Sequence, residues 1–416
     1  MNTSSDVVII GGGAIGLSSA YYLLEKGISV TLIEREQPGM GCSLGNAGLI
    51  SPSHFVPLAA PGLLKKGLKW MFDPEGPFWI HPRLDFELLH WLWNFYRASR
   101  EHNMRQRIPV LKDLLYSSLG LFKDLGSNHD FDLAQKGLLV LHDTPEGEMD
   151  NRHESELASE VGVPTKLLNQ EELRALEPGI PIHATGALYF PEDGHLFPLK
   201  FVEILRDRVL DMGGVILSET NAVRFVALNG RVSEVETTKG LVSGKEFVLA
   251  AGSWSPGFMK NLGIRLPVQA GRGFSVNVSK GKYAPKIPFI CNEARLAITP
   301  MGDEIRVAGT LELSGLDLSV SERRVRAIMR NTNRYMGPLD FSGVDVAKAW
   351  SGLRPCSPDG LPYIGRFNHF SNLTAATGHA MLGISLAPIT GKLVSEILSG
   401  EKPRVDISLL KPERFH

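Results

Sequence analysis

The N-terminal segment constrains the fold of this chain more than any other part. Apolar residues 7–10 lead into Gly11-Gly12-Gly13-Ala14-Ile15-Gly16, and Val30–Ile33 ends on Glu34. Strand, glycine turn, helix, strand and acid in this order form a dinucleotide-binding fingerprint. Gly11 permits the tight turn, Gly13 lets the main chain approach a pyrophosphate, and Gly16 lets the helix pack closely on the sheet. The helix start adds free N–H groups and the positive end of a dipole. Glu34, about 20 residues on, stands where an acid accepts ribose hydroxyls and repels a 2′-phosphate. Two framing strands and a terminal acid make the pattern far more specific than an isolated glycine motif.

Length and composition set the outer bounds. A chain of 416 residues exceeds the size at which single cores stop growing, about 250–300 residues, so two domains are expected. Net charge near −1 provides no electrostatic footprint for nucleic acid. Cys42, Cys291 and Cys356 lie far apart and form neither a disulfide framework nor a metal-spaced cluster. No metal site is expected, and the cysteine usage suits a reducing, cytoplasmic compartment. The first strand begins too early to leave room for a signal peptide, and no apolar run reaches the roughly 18 residues of a membrane span.

Further along, residues 38–61 are rich in Gly, Ser and Pro and read as irregular backbone. Residues 84–125 turn helical, with Glu87, His90, Asn94 and Arg97 as a polar stripe among Leu84, Leu88, Leu92 and Phe95. Leu111, Leu114, Leu115, Phe122 and Leu125 continue at helical spacing. Ala222–Leu228 and residues 232–238 alternate around Asn229-Gly230, a strong hairpin signal. Strands follow at 247–250, 296–299 and 304–308, and Tyr363 reads as a packing residue. Ser319 with Glu322 reads as a capping box opening a helix that carries Val325, Ile328 and Met329. A last helix fits Ala387–Leu398, with Pro388 in its first turn. The opening alternation indicates a parallel sheet and the middle strands an antiparallel one. The expected class is α/β: a Rossmann-like domain assembled from non-contiguous pieces, with an inserted α+β domain built on a mainly antiparallel sheet.

Three more segments narrow the cofactor: residues 41–50 with Asn46-Ala47-Gly48, residues 350–365 with Gly352-Leu353-Arg354-Pro355, and residues 377–384 with Gly378-His379. Small residues in the first let main chain run against a flat ring system with N–H groups turned towards it. With Ala251-Gly252-Ser253-Trp254, these motifs make the chain resemble the glycine-oxidase and D-amino-acid-oxidase superfamily of FAD enzymes, most of all its bacterial D-amino-acid dehydrogenases. The resemblance spans almost the whole length.

The resemblance implies particular roles. Gly11, Gly13, Ala14, Ile15, Gly16, Glu34 and Arg35 would hold the ADP half of FAD, with Val223 on the adenine. Ser43, Asn46, Ala47, Gly48 and Leu49 would pass the flavin, and Ala251, Gly252, Trp254 and Gly352 would cross the cofactor. Gly378, His379, Met381, Leu382, Gly383 and Ile384 would meet the pyrimidine edge. Arg354 would clamp a substrate carboxylate, since a planar guanidinium offers two parallel N–H bonds and thereby orients Cα. His379, Thr310 and His54 are further candidates for the substrate side, although a hydrogen-bonded or solvated loop histidine is the plain alternative for each histidine. The implied FAD-binding domain is 1–60, 195–260 and 345–416; the implied substrate-binding domain is 61–194 and 261–344.

The implied reaction is oxidative deamination of a D-amino acid to a 2-oxo acid and ammonia. A hydride passes from Cα to flavin N5, and the electrons go on to a quinone or another non-oxygen acceptor. Oxidation of a secondary or small amino acid (D-proline, hydroxyproline, sarcosine or glycine) is the alternative within the class. An NAD-dependent dehydrogenase accounts for the first motif alone, and a non-catalytic flavin module leaves Arg354 without purpose. FAD is expected to be non-covalent, because the upstream position where some relatives carry a linking cysteine falls near Gly352, with Cys356 offset. Arg272-Gly273-Phe274 replaces the Lys-Gly-Tyr common in the dehydrogenases. Trp70, Met71, Phe72, Phe78, Trp79, Trp91, Trp93, Phe95 and Tyr96, near Lys65, Lys66, Lys69, Arg97, Arg100, Arg105 and Arg107, read first as a layer packed on the core. Their second reading is a peripheral surface for the inner membrane.

Overall fold

The computed structural model describes residues 4–61, 78–81, 83 and 85–415. Lys65, Lys66, Lys69, Trp70, Met71, Phe72 and Leu84 lie outside the described residues. The first sheet is built around Ser4–Ile10, which pairs in parallel with Val30–Ile33 on one side and Gly240–Leu249 on the other. Val30–Ile33 pairs in parallel with Val215–Leu217, and Gly240–Leu249 with Leu373–Thr377. Ile10 registers with both Ile33 and Leu249, so Gly11, Glu34 and Ala250 all emerge at one edge, the carboxyl end of the strands. The hairpin around Asn229-Gly230 forms as expected, with both turn residues in the left-handed region, and extends this sheet.

The glycine turn needs its glycines. Gly11 has φ +106°, and a side chain there would overlap the Ala250 carbonyl; one at Gly16 would overlap the Gly11 carbonyl. The helix Ala14–Leu24 therefore lies close on the sheet, burying Leu17, Ala20 and Leu23. The last helix forms over Ala387–Leu398 and crosses the first where Gly391 sits on the Ser18 backbone, with no room for a β-carbon.

The second sheet is mainly antiparallel, in the order 350–356, 269–279, 304–313, 296–301, 289–291, 138–142, 186–190, 166–169, with Phe78–Ile80 beside 304–313. Its core gathers Phe274, Ile298, Val307, Val325, Ile328 and Tyr335 under the helix Glu322–Met336. The two sheets are the two units that the alternation predicts.

Several local expectations differ from what is observed. The strand Trp350–Cys356 pairs with Gln269–Ser279 in the second sheet, so the chain changes sheets after residue 356 and not at 345. The helix Glu101–Gly126 falls within the 61–194 segment, yet its Leu119, Phe122 and Leu125 pack in the core of the first sheet. The helix after Ser319 starts two residues later, with Ser321 at its N-cap and no side-chain cap bond. Ser319 instead accepts from Arg272 and bonds Asp317, so an ion network took the hydroxyl that local sequence offered as a cap. On the helix Phe86–Ala98, Asn94 is buried and hydrogen-bonded to His90, which breaks the expected polar stripe. The outward face instead carries Phe86, Leu89, Trp93 and Tyr96, while Trp91 and Phe95 stack inward. Tyr363 is fully buried and donates to the Pro267 carbonyl, a packing role as expected.

Candidate active site

A single cavity of about 1360 Å³ runs from the carboxyl edge of the first sheet to the face of the second. At the first end, the glycine turn and Glu34 meet as the fingerprint requires. Glu34 accepts from the Gly12 N–H at 2.6 Å and from the Glu36 N–H at 3.0 Å, which fixes its carboxylate at the strand end. Gly13 is the N-cap of the helix and has no side chain of its own to cap it, and a β-carbon there would meet only Ser43 Oγ. Ser43 Oγ accepts from the Ala14 N–H at 3.0 Å and so ties the next loop to the helix start. Arg35 stacks on Trp254, 3.8 Å from the ring centroid, beside Ala251 and Gly252 on the cavity wall.

In the middle of the cavity, Asn46, Ala47 and Leu49 line one side; Gly352, Met381, Leu382, Gly383 and Ile384 line others. Asn46 Oδ1 accepts from the Gly48 N–H at 2.8 Å, which folds the loop on itself. The indole of Trp350 lies over both Gly45 and Gly352, where any β-carbon would overlap it. Small residues are required here by packing.

Four expected cofactor residues stand off the cavity. Gly16 serves helix packing, Gly48 (φ +72°) backs onto the Leu196 carbonyl, and Gly378 (φ +79°) packs on Tyr363. Val223 is 45% exposed, and its strand neighbour Ala222 faces the cavity in its place. Successive strand residues point to opposite faces, so a slip of one position decides which of the two can touch a ligand.

The far end holds the substrate-side candidates. Arg354 lies on the strand Trp350–Cys356, its guanidinium over Gly273 with no room for a β-carbon between. Its one hydrogen bond among the described residues is from Nη1 to the Thr310 carbonyl, at 2.5 Å. Two residues, Thr310 and Leu311, stand opposite Gly273 in the ladder, an irregularity of the β-bulge kind. Thr310 takes φ +66°, rare for a β-branched residue, and its buried hydroxyl has no partner. The strained residue stands on the cavity wall, with its hydroxyl shielded from the cavity itself. Burial works against the charge on Arg354, which favours any carboxylate that enters.

The histidines divide. Both line the cavity, and burial pushes the imidazole of His379 down to about 3 and that of His54 to about 4, so both are neutral near pH 7. His379 Nε2 is engaged by the Thr390 hydroxyl at 2.9 Å, while His54 Nδ1 lies 3.2 Å from Ser53 Oγ. Cys356, also on the wall, has its thiol pushed up to about 12 by burial and is not a ready nucleophile. Arg272 is not a cavity residue: it is buried between Glu312 and Asp317, with Arg324 on the same Glu312. Only Phe274 of that motif reaches the cavity.

Local sequence reasoning missed three residues. Glu154 lines the cavity, and burial raises its carboxyl to about 7. Asp193, behind the wall, is raised to about 8 by burial and accepts from Ser53 Oγ at 2.5 Å. Arg306 reaches the loop before Asn46 from the second sheet. None has a local motif. Their settings arise from pairing segments far apart in the chain.

The residues fit FAD. A helix start with glycine at its N-cap, an acid at the strand end, a small-residue passage and an elongated cavity suit an adenine dinucleotide with a flat ring system. No group of His, Cys, Asp and Glu among the described residues could hold a metal ion. Comparison with known proteins agrees with this reading. The family described as FAD dependent oxidoreductase (DAO) matches residues 6–397. A D-amino acid dehydrogenase of Bradyrhizobium diazoefficiens is 34% identical, covering 98% of each chain. One from Chromohalobacter salexigens is also 34% identical, over 98% of this chain and 99% of that one. Among solved structures, glycine oxidase from Geobacillus kaustophilus superposes with TM-score 0.80 at 22% identity, covering 99% of each chain. L-proline dehydrogenase from P. horikoshii gives 0.75 at 21%, over 100% of this chain and 98% of that one. A nicotinamide enzyme is thereby set aside: the chain belongs to the DAO family of FAD dependent oxidoreductases.

Proposed function

We propose that this chain oxidatively deaminates D-amino acids, yielding a 2-oxo acid and ammonia. The observation that carries the reading is Arg354 beside Thr310. A guanidinium with one internal bond, at 2.5 Å to the Thr310 carbonyl, shares a cavity wall with the strained Thr310. The D configuration is supported by the names of the full-length relatives.

Gly11, Gly13, Glu34 and Arg35 would hold the ADP half of a non-covalent FAD; Asn46, Ala47, Gly352 and residues 381–384 would flank its ring system. When bound, FAD supplies a two-electron acceptor. Arg354 takes the substrate carboxylate through two parallel N–H bonds and fixes the direction of Cα. Its bond to the Thr310 carbonyl stops the fork from rotating, which preserves the orientation between turnovers. Phe274, Leu311 and Leu313 exclude water from the same wall. His54, held neutral by burial, is too weak a base to take the ammonium proton and offers its Nε2 only as a hydrogen-bond acceptor to the substrate amine, whose proton leaves to water. Water then hydrolyses the oxidised imino acid.

The proposed electron acceptor is a quinone, reached at the cytoplasmic face of the inner membrane. In support, Phe86, Leu89, Trp93 and Tyr96 form an outward apolar stripe on one short helix with Arg97 and Arg100 at its end. No helix among the described residues is long and apolar enough to cross a membrane, so the contact would be peripheral. The test of the reaction is reduction of protein-bound FAD by D-amino acids with oxygen excluded. A chain that binds FAD but is reduced by no amino acid overturns the proposal.

A further inference from the structure

Arg306 is 5% exposed and makes no ion pair with a carboxylate among the described residues. It stands on Glu304–Leu313, the strand that also carries Thr310. Its Nη1 donates to the main-chain carbonyls of Leu44 at 2.7 Å and Asn46 at 2.9 Å, and its Nε donates to Asn277 Oδ1 at 2.9 Å. Glu304 faces it only through Asn277, whose Nδ2 donates to that carboxylate at 2.6 Å. Burial draws the guanidinium down to about 10, which leaves it fully protonated at neutral pH.

This fixes the orientation of two alternate peptides, 44–45 and 46–47. In a trans peptide the C=O and the next N–H point in opposite directions. Turning the carbonyls of Leu44 and Asn46 towards Arg306 therefore turns the N–H groups of Gly45 and Ala47 away from it. The other donors of this loop are spent: Leu44 N–H on the Gly41 carbonyl, Asn46 N–H on the Ser43 carbonyl, Gly48 N–H on Asn46 Oδ1. The N–H groups of Gly45 and Ala47 have no acceptor among the described residues, and both residues line the cavity. Main-chain donors left without a partner beside a cavity are donors to whatever fills it.

We propose that Arg306 is a positioning residue for the cofactor: by holding two carbonyls it presents the N–H groups of Gly45 and Ala47 to the ring system of FAD and sets its own positive charge behind them. The inference rests on reading residues 41–50 as the segment that meets that ring system. Oriented N–H dipoles and a nearby cation both favour added negative charge on the ring system, so the pair should raise the midpoint potential of bound FAD.

The test uses the full chain with Arg306→Met and Arg306→Lys, reading FAD affinity by fluorescence titration, the absorbance of bound FAD, and its midpoint potential. Arg306→Met is expected to weaken FAD binding about tenfold and to lower the two-electron equilibrium ratio about tenfold, which is about 30 mV. Arg306→Lys keeps the charge but lacks the Nε–H that anchors the guanidinium on Asn277 Oδ1, so its single nitrogen holds the two carbonyls less firmly and should recover most of the potential and only part of the affinity. A folded Arg306→Met with unchanged affinity and potential overturns the proposal. Should Arg306→Met not fold, Arg306→Lys decides: unchanged affinity and absorbance overturn it, and weakened affinity with a shifted absorbance supports it. Wild-type chain that fails to bind FAD is a separate outcome, which removes the reading beneath the proposal.

Discussion

Replacing Arg354 by Met tests the substrate clamp. The guanidinium has five donors and uses one internally, on the Thr310 carbonyl. The remaining donors include the second arm of the fork, and its face lies on Gly273, where nothing larger than hydrogen fits. A hydrogen bond to a charged partner contributes about 1.5–3 kcal/mol, so losing a bidentate carboxylate contact costs about 3–6 kcal/mol. At 1.36 kcal/mol per tenfold, that is a fall of roughly 10²–10⁴ in kcat/KM. Arg354→Lys should recover about one bond of the two, because an ammonium supplies charge without the planar fork. Gly273→Ala should act in the same direction with the arginine intact, since the new methyl displaces the guanidinium. The assay is steady-state oxidation of a D-amino acid with an artificial acceptor, with FAD content measured in parallel. If Arg354→Met keeps kcat/KM within about threefold of wild type at full FAD occupancy, Arg354 is not the clamp.

Other outcomes follow from the same geometry. Asp193 is raised to about 8, so its folded carboxyl holds a proton that the unfolded chain has released above about 4. The folded state then binds more protons between those values, and stability falls as pH rises through that window. Asp193→Asn should remove this fall: its unfolding free energy should exceed that of wild type at pH 8, by up to about 5 kcal/mol for a shift of about four pH units, and converge with it near pH 4. A variant less stable than wild type at pH 8 contradicts the assignment. Gly16→Ala puts a methyl into the Gly11 carbonyl. It should destabilise the fold by about 2–4 kcal/mol, read as a lower denaturant midpoint, and an unchanged midpoint refutes the packing argument. Replacing Phe86 and Trp93 by Ser should abolish co-flotation with anionic vesicles while leaving oxidation with a soluble acceptor unchanged. Equal flotation of both proteins sinks the membrane-facing reading of that helix.

Legibility in the sequence followed the range of the interactions. The glycine turn, the Asn229-Gly230 hairpin and the helix Ala387–Leu398 are written in neighbouring residues, and the strand and helix periods expose them. The cavity face was readable to within one residue: Ala222 took the place expected of Val223, because nothing in the sequence sets the phase of an irregular edge strand. Arg354 stood out by motif, but Thr310's left-handed backbone arises from an irregular ladder opposite Gly273, which no local pattern announces. Ser319 had the spacing of a cap and lost that role to the Arg272, Asp317 and Glu312 network, whose partners come from separate strands and loops. Arg306 was invisible for the same reason. Its partners, Leu44 and Asn46, lie some 260 residues away, and only the pairing of two sheets brings them within reach.

The most direct measurement of the central claim is the anaerobic reduction of bound FAD, followed by its absorbance, against matched D- and L-amino acids. The account predicts that D-amino acids bleach the flavin at rates saturable in substrate, that their L partners do so at least about tenfold more slowly, and that 2-oxo acid and ammonia form in equal amounts to the flavin reduced. Faster bleaching by the L series, or none by any primary amino acid, would contradict it.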